Sequence, residues 1–226
     1  MKPFDNVRKI NMVKPLEIIY ADNHQLVVNK PAGLLTQPSG TDQDSIEAQA
    51  KQWIKEQLQK PGNVFLEAVH RIDKPVSGLV LFARTSKALP RLQQTIREKK
   101  SHKIYLALVE GSPRQTEDVL KHYLFHGEHQ AQIVPASHPE AKLAILRYKV
   151  ISSNNKQSLL RIVLETGRYH QIRVQLSAIG HPIIGDVRYG SKIDFAPDAI
   201  ALHHHQLQIP HPITGEMQSF EAPPPF

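Results

Sequence analysis

Asp73 has the neighbours that most need a chemical explanation. It lies in HRIDKPVSGLVLF, residues 70–82, with Arg71 and Lys74 close by and with Pro75 and Gly78 fixing a tight loop before an apolar strand. Charges at the lip of a strand lose hydration that partners must restore. Flanking cations favour a carboxylate held ionised, below the usual carboxylate range. Such a carboxylate can act as a nucleophile toward an anomeric carbon, the chemistry of glycosyl transfer. The same spacing also fits a salt-bridged loop, since structural ion pairs perturb carboxylates too.

Other chemistries find less support. There is no cysteine, which excludes disulfides, thiolate nucleophiles and cysteine-ligated zinc. Neither GxxxxGK[ST], GxGxxG after a strand, GxSxG nor HExxH occurs. Of His203, His204 and His205, alternation along a strand lets at most His203 and His205 share one metal. No carboxylate stands nearby, so no metal site is expected. Twenty-eight Lys and Arg against 21 Asp and Glu give a formal charge of +7, a balance suited to a polyanionic partner such as RNA or DNA. No apolar run approaches a membrane span, and the opening MKPFDNVRKINMV lacks the apolar core of a signal peptide. A soluble cytoplasmic protein is expected.

The elements that must position these residues follow from periodicity. LEIIY (16–20) and QLVVN (25–29) form a hairpin across ADNH. Asp44 or Ser45 caps a helix to about Lys60, with Ile46, Ala50, Trp53, Ile54 and Leu58 on one face and Pro61-Gly62 as its stop. VFLEAV (64–69) and GLVLFA (78–83) are strands flanking the Asp73 cluster. Ser86 starts a second helix that buries Leu89, Leu92 and Ile96 and ends in Arg97, Lys99 and Lys100. KIYLALVEG (103–111) alternates, with Ile104, Leu106 and Leu108 on one face, so Tyr105 leaves the main apolar row. LAILRYKVIS and SLLRIVLE pair across an Asn154-Asn155 turn. TGRYHQIRVQLSAIG carries a helix ending at Gly180. It buries Ile172, Leu176 and Ile179 and gathers His170, Arg173 and Ser177 on a separate polar face. The tail is strand-like from 200 to 209 and closes in EAPPPF. Repeats, low-complexity linkers and clear domain boundaries are absent from the sequence.

These residues also resemble a known family. HRIDKPVSGLVLFART is similar to the HRLDxxTSGLLLFAKT signature of the RluA-type RNA pseudouridine synthases. NKPAGLLTQPS (29–39) resembles that family's opening motif and KIYLALVEG its tyrosine-bearing strand. TGRYHQIRVQLSAIGHPIIGDVRYG resembles TGRxHQIRVHL followed by GxPIxGDxxYG, and LHHHQLQIPHPITGE its closing strand. The segments occur in the family's order and cover most of residues 16–216.

The resemblance implies a single α+β catalytic domain over 16–226, with a mixed, mostly antiparallel sheet, flanking helices and a central basic cleft; residues 1–15 form an N-terminal extension. It implies isomerisation of specific uridines in a tRNA or rRNA stem-loop, without cofactor or metal. RNA is the expected partner, with no membrane and no obligate protein partner. Asp73 is implied as the nucleophile; attack at C1′, glycal formation and addition to C6 all stay open to it. Arg71 would enter the stack as the target uridine flips out. Tyr105 would stack on the base and is a candidate to take the C5 proton, and Arg173 would pair with Asp73. Arg168, His170, Gln171 and Lys30 are candidate RNA contacts, Arg168, His170 and Gln171 lying near a helix start where phosphates are favoured. Ile72, Lys74-Pro75-Val76 and Gln175 depart from the family pattern without removing a proposed catalytic group; Lys74 has no implied role. A catalytically idle RNA-binding protein would share the basic surface but would not need Asp73, Tyr105 and Arg173 together. A glycosidase would be expected to need a second acid, which the motifs do not supply.

Overall fold

The computed structural model describes residues 16–40, 43–59 and 61–226. The expected N-terminal extension over 1–15, and Lys60 at the expected end of the first helix, lie outside the described residues. The first hairpin is β1 (Glu17–Ala21) and β2 (Gln25–Lys30). Ser45 caps α1 (Ile46–Leu58), accepting from the Ala48 amide at 3.2 Å. Leu58, expected on the apolar face, is 49% exposed.

Where VFLEAV was expected to be a strand, only β3 (Glu67–Ala68) forms, pairing with β4 (Ser77–Ala83). The preceding residues run past the end of β4, because Glu67 already stands opposite Ala83, the last residue of that strand, in the antiparallel register. α2 (Ala88–Arg97) begins two residues later than its sequence start signal, with Thr85 Oγ1 accepting from the Ala88 amide at 3.1 Å in the turn before it.

β5 (His102–Glu110), β8 (Lys142–Ser153) and β9 (Gln157–Leu164) match their expected patterns closely. β6 (Glu117–His126), β7 (Ala131–Val134) and β11 (Met217–Glu221) have no counterpart in the sequence reading, because polar and charged residues interrupt their apolar periodicity. α3 (Gln171–Ala178) is followed by Gly180 at φ 84°. β10 (Leu202–Pro210) is the expected closing strand.

All the described strands join one sheet, ordered β1-β2-β4-β10-β5-β9-β8-β6-β7, with β11 beside β10. The β4–β10 pair is parallel and the others are antiparallel, which makes the fold α+β with a mixed sheet. β4 is buried throughout and reads as a continuous apolar run. One face of the sheet carries α1 and α3, where Ile46, Ala50, Ile54, Ile172 and Leu176 pack on Val80, Phe82 and Ile162. The other carries α2, where Ala88 and Leu92 pack on Leu79, Leu81 and Leu207. β5, between β10 and β9, is covered on both faces. Tyr105 therefore does not leave the apolar row: with Ala107 and Val109 it joins the larger core, while Ile104 and Leu106 are buried as well.

The parallel pair brings two backbones into unusually close approach. Gly78 has φ +115°, and a Cβ placed there would lie 2.4 Å from the His204 carbonyl oxygen. Only glycine allows β10 to pass so near the strand that follows the Asp73 loop.

Candidate active site

The Asp73 loop is held from behind by the segment NKPAGLLTQPS. Lys30 is fully buried, and its Nζ donates to the carbonyls of Pro31 at 2.9 Å, Leu34 at 2.7 Å and Lys74 at 3.2 Å. The Gly33 amide donates to the same Lys74 carbonyl at 2.8 Å, and Thr36 Oγ1 donates to the Ile72 carbonyl at 2.8 Å. Expected as a phosphate contact, Lys30 is instead a brace. Its ammonium has no open side for an RNA phosphate, and burial pulls its pKa down to about 7, with Asp73 acting the other way.

From the α3 side comes Arg173, itself buried. Its Nη1 donates to Asp73 Oδ2 at 3.2 Å, while Nε and Nη2 donate to Asp186 Oδ2 and Oδ1 at 2.7 and 2.8 Å. The guanidinium also lies 5.0 Å from the centre of the Tyr189 ring. The fork to Asp186 fixes its plane, and the remaining nitrogen faces the Asp73 loop. Asp186 was not singled out from the sequence. It stands in the quoted GDVRYG, and the signal lay in a buried-type aspartate needing a cation from the helix motif just before it.

The polar face read for α3 is real in space, with different tasks from those expected. His170 is buried, in the left-handed region at φ 50°, with its ring stacked on Tyr169 at 3.8 Å between centres. The Ala131 amide donates to Tyr189 Oη at 2.8 Å, and Tyr189 Oη and His170 Nδ1 share a hydrogen bond, also at 2.8 Å. The other ring nitrogen, Nε2, lies 3.5 Å from Asp73 Oδ2. Burial, with the charges of Arg173 and Arg188 added, pushes His170 down to about 3, so the ring is neutral at physiological pH. Ser177 Oγ donates to the Tyr189 carbonyl at 2.6 Å. Gln171 is also buried: its Oε1 accepts from Thr166 Oγ1 and the Arg168 amide, and its Nε2 donates to the Ile145 carbonyl. Neither His170 nor Gln171 presents a free group to a phosphate, because the turn before α3 consumes both. Arg168 is exposed; its Nε donates to the Leu143 carbonyl at 3.0 Å. Arg71 is exposed beside the loop.

Asp73 itself sits with its side chain 29% exposed. Burial pushes its pKa up, and the charge and hydrogen bond of Arg173, then Lys30 and Arg188, only partly offset this. The expectation of a carboxylate held below its ordinary range is therefore corrected. Local sequence showed the cations but not the burial around the carboxylate.

Tyr105 lies near enough for the Asp73 charge to reinforce burial in raising its phenol pKa strongly. Its ring is stacked on His204 at 4.5 Å and 13°, and His204 meets His70 edge-on at 5.3 Å. His204 Nδ1 donates to the Leu79 carbonyl at 2.7 Å, and His70 Nε2 accepts from the Leu81 amide at 3.3 Å. His203 bonds to Ser77 Oγ and the Ala222 carbonyl, and His205 to the same carbonyl.

A cavity of about 520 Å³ opens beside Pro75 and Arg173, walled by Arg188, Phe195 and Ile200. Its outer loop is tied to β5 by Glu110, whose Oε1 accepts from Ser191 Oγ at 2.7 Å and from the amides of Lys192 and Ile193 at 2.6 and 3.0 Å.

Sheet order and helix placement together have the architecture of a pseudouridine synthase domain. The structure matches the human RNA pseudouridylate synthase domain containing protein 4 with a TM-score of 0.77 at 22% identity, over 92% of this chain and 88% of that one. A family model described as RNA pseudouridylate synthase matches residues 24–178, and the chain belongs to that family. It is 36% identical to an uncharacterized RNA pseudouridine synthase of Bacillus subtilis, over 93% of this chain and 69% of that protein. It is 35% identical to the dual-specificity RNA pseudouridine synthase RluA of Pasteurella multocida, over 93% and 94% of the two chains. The chain is thus an RNA pseudouridine synthase, an isomerase. Among the described residues no helix is long and apolar enough to cross a membrane.

Proposed function

We propose that residues 16–226 form a catalytic domain that converts specific uridines of a tRNA or rRNA stem-loop to pseudouridine, with Asp73 as nucleophile and without a cofactor. The observation that carries this reading is the Arg173–Asp73 contact at 3.2 Å in a loop braced from behind by Lys30, Gly33 and Thr36. The reaction breaks the C1′–N1 bond and forms C1′–C5; C5 loses a proton and N1 gains one. No electrons are gained or lost overall, so redox chemistry is not required. Arg173 keeps a cation against the carboxylate as the site closes over the base. Tyr105, with its phenol protonated and its ring backed by His204, suits stacking on the target base. Arg71 is exposed where it can fill the place of the extruded nucleotide. Arg168 and Arg188, both exposed, suit phosphate contacts.

RNA is the partner in this reading, and a cytoplasmic setting goes with it. The formal charge of +7 and the RNA-directed names of the relatives support both. The test is tritium release from RNA labelled at uridine C5. Wild type releases label and Asp73→Ala does not; equal release by the variant would remove Asp73 from the nucleophile's role.

A further inference from the structure

A second basic pocket lies apart from the Asp73 cavity. It has a volume of about 210 Å³ and opens between the end of α2, the start of β5 and the end of β9, with Lys99, Lys103, Glu165 and Gly167 in its wall. That is below the roughly 300–1,000 Å³ typical of pockets for drug-sized ligands and suits a small group. The charge inside it is unbalanced. Glu165, the carboxylate in the wall, already accepts from Arg147 Nε at 2.6 Å. Neither Lys99 nor Lys103 has an ion-pair partner among the described residues, whereas Lys100 beside them is paired with Glu98. Lys103 is partly buried, and that burial pulls its ammonium down to about 8. A desolvated ammonium without a counter-ion is costly, and an anion entering the pocket would relieve the cost.

The position of Lys103 says which anion. It stands two residues before Tyr105 on β5, so the two side chains rise from the same side of the strand about 7 Å apart. Its charge reaches both His70 and His204, the rings behind Tyr105, and lowers the pKa of each. On the other wall, Gly167 leads directly into exposed Arg168 and the turn before α3. Lys103 thus ties the pocket to Tyr105, on whose ring the target base would stack.

We propose that Lys103 and this pocket form a phosphate subsite for the RNA backbone next to the target uridine. The proposal rests on the pseudouridine synthase reading above. A backbone phosphodiester supplies the missing anion, and holding it would anchor the strand while the uridine is extruded.

The test uses the full chain with unmodified transcripts of tRNA and large-subunit rRNA, labelled at uridine C5. Filter binding of Lys103→Gln across a salt series is expected to show affinity reduced about tenfold at low salt and a salt slope lower by about one; Lys103→Arg keeps the slope. KM rises in Lys103→Gln by a larger factor than kcat falls. A salt slope equal to wild type, or an equal loss in Lys103→Arg, overturns the subsite. A second measurement needs no variant: the Lys103 ε-methylene carbon shift titrates in free wild type and moves to higher pH when transcript is added. A titration unmoved by bound RNA also overturns it. If wild type binds both transcripts but releases tritium from neither, the function reading falls; if release is normal and the Lys103 results are flat, the subsite alone falls.

Discussion

Arg173 gives two guanidinium nitrogens to Asp186, at 2.7 and 2.8 Å, and leaves Nη1 for Asp73 at 3.2 Å. The stronger pair is the one farther from solvent: Asp186 is 1% exposed, against 29% for the Asp73 side chain. Asp186 therefore sets where the guanidinium lies, and Asp73 meets a cation that is already placed. This division makes Asp186 a positioning residue for the site.

Replacing Asp186 by Ala would leave Arg173 buried with half its partners gone. The expected cost is about 3–5 kcal/mol of unfolding free energy, with a smaller loss for Asp186→Asn. Urea denaturation of both variants checks this. A change below about 0.5 kcal/mol would mean that Arg173 is held by other contacts.

Asp73→Asn should separate activity from stability. The folded pKa of Asp73 is raised, so the folded state binds this proton more tightly than the unfolded chain does. Above both pKa values the ionised carboxylate opposes folding, and the opposition fades as pH falls through the folded value toward the unfolded one near 3.9. At neutral pH the asparagine variant is expected to lose tritium release and to keep or raise its Tm, by about 2 °C at most. A fall of several degrees would contradict the sign.

The same raised pKa predicts the acid limb of the rate profile. If ionised Asp73 is the nucleophile, kcat/KM should drop on acidification at a pH above the ordinary aspartate range. A profile flat down to pH 4 would count against it.

Lys30→Met keeps the length of the side chain but leaves the carbonyls of Pro31, Leu34 and Lys74 without its ammonium. A loss of about 2–4 kcal/mol is expected at pH 6, with reduced kcat as the Asp73 loop loosens. Because the Lys30 pKa in the fold is about 7, well below the free lysine value, wild type gains stability relative to the variant as pH rises from about 7 toward 10. Denaturation at pH 6 and pH 9 reads both effects.

Gly78→Ala places a methyl group 2.4 Å from the His204 carbonyl oxygen, at a φ of +115°. The β4–β10 pair must separate, and a loss above about 4 kcal/mol or failure to fold is expected. A stable Gly78→Ala protein with wild-type activity would show that the close approach is dispensable.

Much of the fold was legible in the sequence because its central elements are strongly periodic. The Ser45 cap, the β8–β9 hairpin and the helix ending before Gly180 needed only local rules. β6 and β7 escaped because they lie on the outer part of the sheet, where Glu117, Lys121 and Gln132 face water and dilute the apolar pattern. VFLEAV looked like a strand of its own, yet Glu67 already faces Ala83 at the end of β4 and the residues before it run past that strand, a limit local residues do not record.

The same boundary runs through the site. By itself the sequence determined which residue types were present and in what order: an aspartate among cations, a tyrosine on a strand, an arginine on a helix, and motifs resembling one family. Only the tertiary structure decided who holds whom. It turned Lys30, His170 and Gln171 from candidate RNA contacts into internal partners, and it revealed Asp186 as the anchor of Arg173. It also moved Asp73 upward in pKa where flanking charges alone pointed down. Chain neighbours can be read from spacing, but desolvation and long-range pairing are set by whatever the fold packs around each charge.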